Sequence, residues 1–318
     1  MTAPLRGPGF AKLRQLADVV YDPWIEQAPL RIYSAEQLAD RIAREAADVV
    51  VVESDSVAGP VFELGLRVIA STRGDPNNVD IAGATAAGIP VLNAPGRNAD
   101  AVAEMTVALL LAATRQLLPA DSDVRSGNIF RDGSIPYQRF RGPEIAGLTA
   151  GLVGLGAVGR ATRWRLSGLG LTVIAHDPYN DEARHSLEEL LAEADIVSLH
   201  AAVTDDTAGM IGAGELAAMR DGVVFLNTAR AQLHDTEALV DALRSGKVAA
   251  AGLDHFVGEW LPTDHPLVGM PNVVLTPHIG GATWNTEARQ AQMVADDLAA
   301  LLTGNRPAHI VNPEVLDS

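Results

Sequence analysis

The 318-residue chain predicts an α/β protein organised around a doubly wound parallel sheet, and three observations carry that expectation. From Thr149 to Thr276, short β-branched runs alternate with helix-like stretches at lengths that suit parallel strands and helical crossovers. At the head of this series, an apolar run ends in Gly154-Leu155-Gly156-Ala157-Val158-Gly159. A helix-like stretch follows, and a second apolar run, Leu171 to Ala175, stops at Asp177. Strand, glycine turn, helix, strand and acid in that order is a dinucleotide-binding pattern. A shorter α/β alternation fills the first ninety-odd residues without such a turn, so it reads as a second unit that contacts substrate rather than cofactor.

Taken in order, Ser34 with Gln37 three positions on predicts a helix start. Strand signals follow at Ala47–Val52, Arg67–Ala70 and Ile89–Leu92, with an Ala-rich helix near Asp80 to Ala87. Ala99 onward through Gln116 lacks any breaker and predicts a helix of about five turns, suited to linking domains and to contact between subunits. Residues Asp121 to Gly147 are polar and rich in Gly and Pro, hence loop-like. Beyond Asp177, helices are expected at Ser186–Ala194, Gly214–Met219 and Asp235–Ser245. Strands are expected at Asp195–Leu199, Gly222–Leu226, Val248–Leu253 and Val273–Thr276, and a last helix at Thr283–Leu302.

Composition narrows the partners. Forty acidic against 24 basic side chains give a formal charge of −16, and no basic block exists to neutralise nucleic-acid phosphates. An anionic substrate therefore requires locally placed arginines. With no cysteine, disulfides, thiolate nucleophiles and Cys-based zinc sites are excluded, and a cytoplasmic location is expected. The longest helical apolar run, Val107 to Ala113, is too short to span a bilayer, so no membrane partner is expected.

The glycines have separate tasks: Gly154 for the turn, Gly156 for backbone approach to a pyrophosphate, and Gly159 for close helix–strand packing. Ala157, Val158 and Arg160 belong to the same phosphate-facing helix start. Asp177, 18 positions past Gly159, suits the ribose hydroxyls and repels a 2′-phosphate, favouring NAD over NADP. In an open parallel sheet ligands bind beyond the carboxyl ends of the strands. His200, Asn227-Thr228-Ala229-Arg230, Asp254 and His278 all follow apolar runs, and together they mark a cleft.

These segments, with Asn93-Ala94-Pro95-Gly96-Arg97-Asn98, Val102-Ala103-Glu104, Ala251-Gly252-Leu253-Asp254 and Thr276-Pro277-His278-Ile279-Gly280-Gly281-Ala282-Thr283, resemble the D-isomer-specific 2-hydroxyacid dehydrogenase family over residues 45 to 310. The resemblance implies two Rossmann-like doubly wound domains, the cofactor domain (98–287) inserted into a substrate domain (1–97 and 288–318). It also implies a homodimer through the 99–118 helix and hydride transfer between NAD and a small anionic hydroxyacid or oxo acid. Its catalytic Arg, Glu and His fall on Arg230, Glu259 and His278. Their chemistry suits these places: a guanidinium forks onto a carboxylate, an imidazole delivers a proton near neutral pH, and a carboxylate fixes its tautomer. Cofactor contacts are expected from Gly154, Gly156, Ala157, Val158, Gly159, Arg160, Asp177, His200, Thr228, Ala229, Asp254 and Gly280, and substrate contacts from Arg73, Gly74, Arg230 and His278.

Departures from the family pattern are Trp260 after the glutamate, where proline is usual, Ala231 for glycine, and Ala202 for proline. Arg73 and Asp75 occupy the approximate glycine positions of a turn that binds the substrate carboxylate. Arg73 either adds a cation for a second anionic group, as in 3-phosphoglycerate-like, dicarboxylic or sugar-acid substrates, or pairs with Asp75 to shape the loop. His255 and His265 lack metal-ligand spacing, and no metal is expected. The alternative from another class is an NAD-sensing, co-repressor-like interaction protein of the same fold.

Overall fold

The computed structural model describes residues 1–317. It divides into two units, Met1–Arg97 together with the segment from Thr283 onward, and Asn98–Ala282. In the first unit, α1 (Gly7–Leu16) and α2 (Ala35–Glu45) precede β1 (Val49–Val52) and β2 (Val68–Ser71), and α3 (Ile81–Ala86) precedes β3 (Val91–Leu92). The strands form a parallel sheet in the order β1-β2-β3, with Val50 opposite Ile69 and Ile69 opposite Val91. α2 starts at the Ser34–Gln37 capping box, and Asp80 caps α3 through the Gly83 N–H.

The second unit opens with α4 (Ala99–Thr114), α5 (Leu117–Arg125) and the single turn α6 (Pro136–Arg139). β4 (Thr149–Val153), α7 (Ala157–Gly168), β5 (Thr172–His176), α8 (Leu187–Glu193) and β6 (Ile196–Leu199) follow. The unit continues through α9 (Ala213–Ala218), β7 (Val223–Asn227), α10 (Thr236–Ser245), β8 (Val248–Leu253) and β9 (Val273–Leu275). All strand pairs are parallel, in the order β5-β4-β6-β7-β8-β9. The order reverses between β4 and β6, which makes the carboxyl edge there the natural ligand crevice. Both faces of the sheet are buried: Leu190, Val197, Leu199 and Phe225 belong to one core cluster, and Leu109, Leu110, Leu152 and Leu226 to another. Such two-sided burial explains why the strands read as continuous apolar runs.

The chain then returns through α11 (Trp284–Leu302) to the first unit, where α1 packs on it. A Cβ on Gly9 would lie 2.2 Å from the Gln292 nitrogen, so the two helix backbones approach closely there. Arg6–Glu287 at 2.8 Å and Lys12–Asp296 at 2.6 Å join them at the surface. α1 has no clear signal in the sequence, because a small-residue contact with a helix far along the chain stabilises it.

Three expectations need correction. The helix from Ala99 ends at Thr114, and Gln116 turns left-handed (φ 50°), so the 99–118 segment is not one helix. Pro119 supplies the reason: within a continuous helix it could not donate to the carbonyl of Arg115, whereas the first turn of α5 leaves that N–H unpaired anyway. Residues 117–125, partly within the expected loop, are helical instead. Leu109, Leu110 and Ala113 of α4 are buried in the core of their own unit, and the exposed apolar side chains Leu117, Leu118, Phe130 and Tyr137 lie after the break. Finally, the return crossing falls between Ala282 and Thr283 instead of after 287, because Thr283 caps α11 and keeps that helix whole within the first unit. Among the described residues, no single helix is long and apolar enough to cross a membrane.

Candidate active site

Parallel pairing brings the ends of the strands to one edge of the second unit, and the glycine turn opens there. Gly154 has φ 98°, and a Cβ on it would strike Ala201 N at 2.7 Å. On Gly159 a Cβ would sit 2.2 Å from the Gly154 carbonyl oxygen, so this residue fastens the helix to the turn. Gly156, the N-cap of α7, faces open space: a Cβ would meet nothing within 4 Å. Ala157 and Val158 begin the helix. Arg160 donates through Nη1 to the Leu155 carbonyl (3.0 Å), which holds its guanidinium beside the turn. Asp177 accepts from Leu155 N (2.8 Å) on one oxygen and Tyr179 N (2.9 Å) on the other.

Across the reversal point, His200 follows β6 and accepts from or donates to Ser198 Oγ through Nε2 (3.0 Å), while its Nδ1 is buried without a partner. Burial lowers its pKa to about 4, so the ring is neutral at physiological pH. At the end of β7, Asn227 Oδ1 accepts from Ala229 N (3.0 Å), and Asn227 Nδ2 donates to the Arg230 carbonyl (2.8 Å) and to His234 Nδ1 (2.9 Å). The segment carrying Arg230 is thus held by a fully engaged amide. Thr228 is buried, and its hydroxyl meets Thr106 Oγ1 at 2.8 Å. Arg230 is exposed, with Nη1 on the Ala229 carbonyl at 2.6 Å. Ala231, where glycine is usual, is buried in a short 3-10 turn without a positive φ, so an alanine fits.

The sharpest geometry lies at the ends of β8 and β9. His278 Nδ1 lies 2.9 Å from Glu259 Oε1. Both residues have left-handed backbones, φ 54° and 56°, an uncommon conformation outside glycine that concentrates at functional sites. Asp254, fully buried, positions the loop: Oδ1 accepts from Thr276 Oγ1 (2.6 Å) and Ile279 N (3.0 Å), and Oδ2 from Gly280 N (2.7 Å). Its carboxylate thereby organises residues 276–280. Gly280 is buried over it, where a Cβ would come within 2.9 Å of Asp254 Oδ2.

His255, which spacing alone does not single out, belongs to this group. Its ring centroid is 3.8 Å from that of His278, and its Nδ1 is 3.7 Å from Glu259 Oε1. Burial lowers its pKa to about 4, with His278 and Arg230 acting in the same direction and Asp254 and Glu259 in the opposite one. The only sequence signal for His255 is its place, directly after a strand-end acid and four residues before Glu259. Trp260 is exposed and does not prevent Glu259 from reaching the histidine.

In the first unit, Arg73 Nε donates to the Glu53 carbonyl (2.6 Å) and Nη1 to Asn77 Oδ1 (2.7 Å). The Gly74 carbonyl accepts from Asn93 Nδ2 (2.7 Å), and a Cβ on Gly74 would press on Pro95 at 3.2 Å. These contacts make the 71–78 loop a braced element.

The sequence profile of the D-isomer specific 2-hydroxyacid dehydrogenase NAD-binding domain matches residues 107–280, which include the glycine turn, Arg230, Glu259 and His278. The chain belongs to the D-isomer specific 2-hydroxyacid dehydrogenase family. This dehydrogenase is 38% identical to a glyoxylate reductase from Thermofilum pendens (strain DSM 2475 / Hrk 5), over 97% of this chain and 92% of that protein. It is also 38% identical to a D-3-phosphoglycerate dehydrogenase from Mycobacterium leprae (strain TN), over 94% of this chain but 58% of that longer protein. A solved structure from Thermus thermophilus aligns with TM-score 0.82 and 36% identity over 98% of each chain. The dehydrogenase uses NAD, and its turn fits that group: open space at Gly156, an uncapped helix start at Ala157, and a carboxylate at Asp177.

Proposed function

We propose that the enzyme reduces a small 2-oxo acid to its D-2-hydroxyacid, with Arg230 binding the substrate carboxylate and His278, oriented by Glu259, delivering a proton to the carbonyl oxygen. The Glu259–His278 contact at 2.9 Å carries the reading. A carbonyl that accepts hydride becomes an alkoxide, and a positioned imidazole removes that charge as it develops. A carboxylate can only accept a hydrogen bond, so His278 donates to it through Nδ1, leaving Nε2 for the substrate. In the oxidative direction Nε2 takes the hydroxyl proton. Arg230 presents a planar fork that matches a carboxylate and stabilises charge on the adjacent oxygen.

NADH, when bound, supplies the hydride. The residues that would hold it are Gly154, Gly156, Ala157, Val158, Gly159 and Arg160 for the pyrophosphate and Asp177 for the adenosine ribose. Ala229, Gly280 and the backbone near His200 and Thr228 would meet the nicotinamide end. Asp254, which braces the loop carrying Gly280, would meet the nicotinamide and its ribose at the same end.

Unphosphorylated acids of the glyoxylate and hydroxypyruvate class suit the site best. Two nitrogens of Arg73 are committed, one to the Glu53 carbonyl and one to Asn77, and the similarity to a glyoxylate reductase runs through nearly the whole of that protein. A second reading, a 3-phosphoglycerate-like or dicarboxylic substrate, draws on the similarity to a phosphoglycerate dehydrogenase. NADH consumption against glyoxylate, hydroxypyruvate, 2-oxoglutarate and phosphohydroxypyruvate separates them. The first reading predicts the highest kcat/KM on glyoxylate or hydroxypyruvate; a preference for phosphohydroxypyruvate that is lost in Arg73→Ala would establish the second.

A further inference from the structure

We propose that His255, Glu259 and His278 form a binding site for a divalent transition-metal cation, zinc by its ligand chemistry, and that its occupation stops turnover. One nitrogen or oxygen from each residue lies within a sphere of mutual separations no larger than 4.8 Å. The His278 Nδ1 to Glu259 Oε1 and His255 Nδ1 to Glu259 Oε1 separations are 2.9 and 3.7 Å. Zinc–nitrogen and zinc–oxygen bonds near 2.0–2.1 Å in a tetrahedron place ligand atoms about 3.3 Å apart. The two measured separations bracket that value, so modest side-chain rotation closes the set.

The independent sign is His255. Its side chain is 4% exposed, yet Nδ1 has no hydrogen-bond partner. A buried acceptor left unpaired costs about 1–3 kcal/mol relative to a satisfied one, and natural structures tolerate few of them. Here the orphan nitrogen shares a carboxylate neighbour with a second imidazole. Imidazole is a first-rate zinc ligand. Two nitrogens and one carboxylate oxygen, with a fourth position for water, suit zinc and its neighbours in the transition series; magnesium and calcium demand oxygen-rich shells. The anionic Glu259 and Asp254 favour a dication here, and Arg230 opposes it.

Inhibition follows from which atom is taken. Zinc takes the place of the hydrogen on His278 Nδ1, which moves to Nε2 in a neutral ring and leaves to solvent from a protonated one, and zinc occupies Glu259 Oε1. The hydrogen bond that orients the imidazole is then gone, and a zinc-bound imidazole cannot cycle between its protonated and neutral forms. Binding follows from the placement of the three side chains; only the inhibition rests on the role proposed above for His278.

Zinc binding to the full chain, followed by calorimetry and by competition with a chromophoric chelator, tests this alongside His255→Asn and Glu259→Gln. The expected result is one zinc per chain, no response to magnesium, and a loss of affinity of more than about tenfold in each variant. NADH binding checks that each variant is folded. Absence of zinc binding, or affinity unchanged in both variants, would overturn the site and leave the proposed reaction untouched. Bound zinc with undiminished turnover would instead overturn the inhibition, and with it the role of His278.

Discussion

Glu259 and His278 are the only described non-glycine residues at this edge with positive φ, and they are also the two that touch across it. Backbone strain of that kind costs about 1–3 kcal/mol per residue and persists only where surrounding contacts fix it. The glycines of the turn allow a cleaner residue-scale test. Gly159→Ala drives a Cβ into the Gly154 carbonyl, so it should lower the melting temperature by several degrees, consistent with an overpacking cost of about 1–3 kcal/mol. Gly156→Ala fills open space, so it should leave the melting temperature unchanged while weakening NADH binding. Equal melting losses in both variants would contradict the division of tasks. The glycine spacing is readable because each task is local to six residues of sequence. His255 is not, because its neighbours arrive from β9 and from a loop, and no spacing rule encodes a contact made by packing two strands side by side.

Among elements, the loop after β9 depends on one buried side chain. Asp254 satisfies two backbone N–H groups and a hydroxyl, and Asp254→Asn turns one acceptor into a donor facing donors. Thermal melts should show a loss worth about 1–3 kcal/mol, and kcat should fall while Arg230 is intact; a variant as stable and active as the parent would refute the bracing role. Strand and helix positions in this unit are legible in sequence because burial on both sheet faces writes continuous β-branched runs, as at Val248–Leu253. The break after Thr114 is masked because apolar content continues through Leu117 and Leu118; Pro119 is the signal that marks it. α1 is illegible for a different reason, since its packing partner lies near residue 292.

For the molecule as a whole, three imidazoles in the second unit, His200, His234 and His255, are held neutral by burial, each with its pKa lowered to about 4. Unfolding returns them to the ordinary value near 6.5, so between about pH 6.5 and 4 the unfolded chain binds more protons than the folded one. Their contribution to stability is complete above 6.5 and is lost as the pH falls, at up to about 1.4 kcal/mol per pH unit for each group. The melting temperature should therefore drop steadily from pH 7 to pH 5, with proton uptake on unfolding; a flat profile would show that these rings are not held neutral.

The proposed reaction rests on a single imidazole aimed by a single carboxylate, and His278→Ala interrogates it most directly. With NADH affinity measured by fluorescence and turnover measured on glyoxylate or hydroxypyruvate, the expected result is a coenzyme Kd close to that of the parent and a kcat lower by at least about 100-fold. Turnover near the parental rate, accompanied by weakened NADH binding, would contradict the assignment.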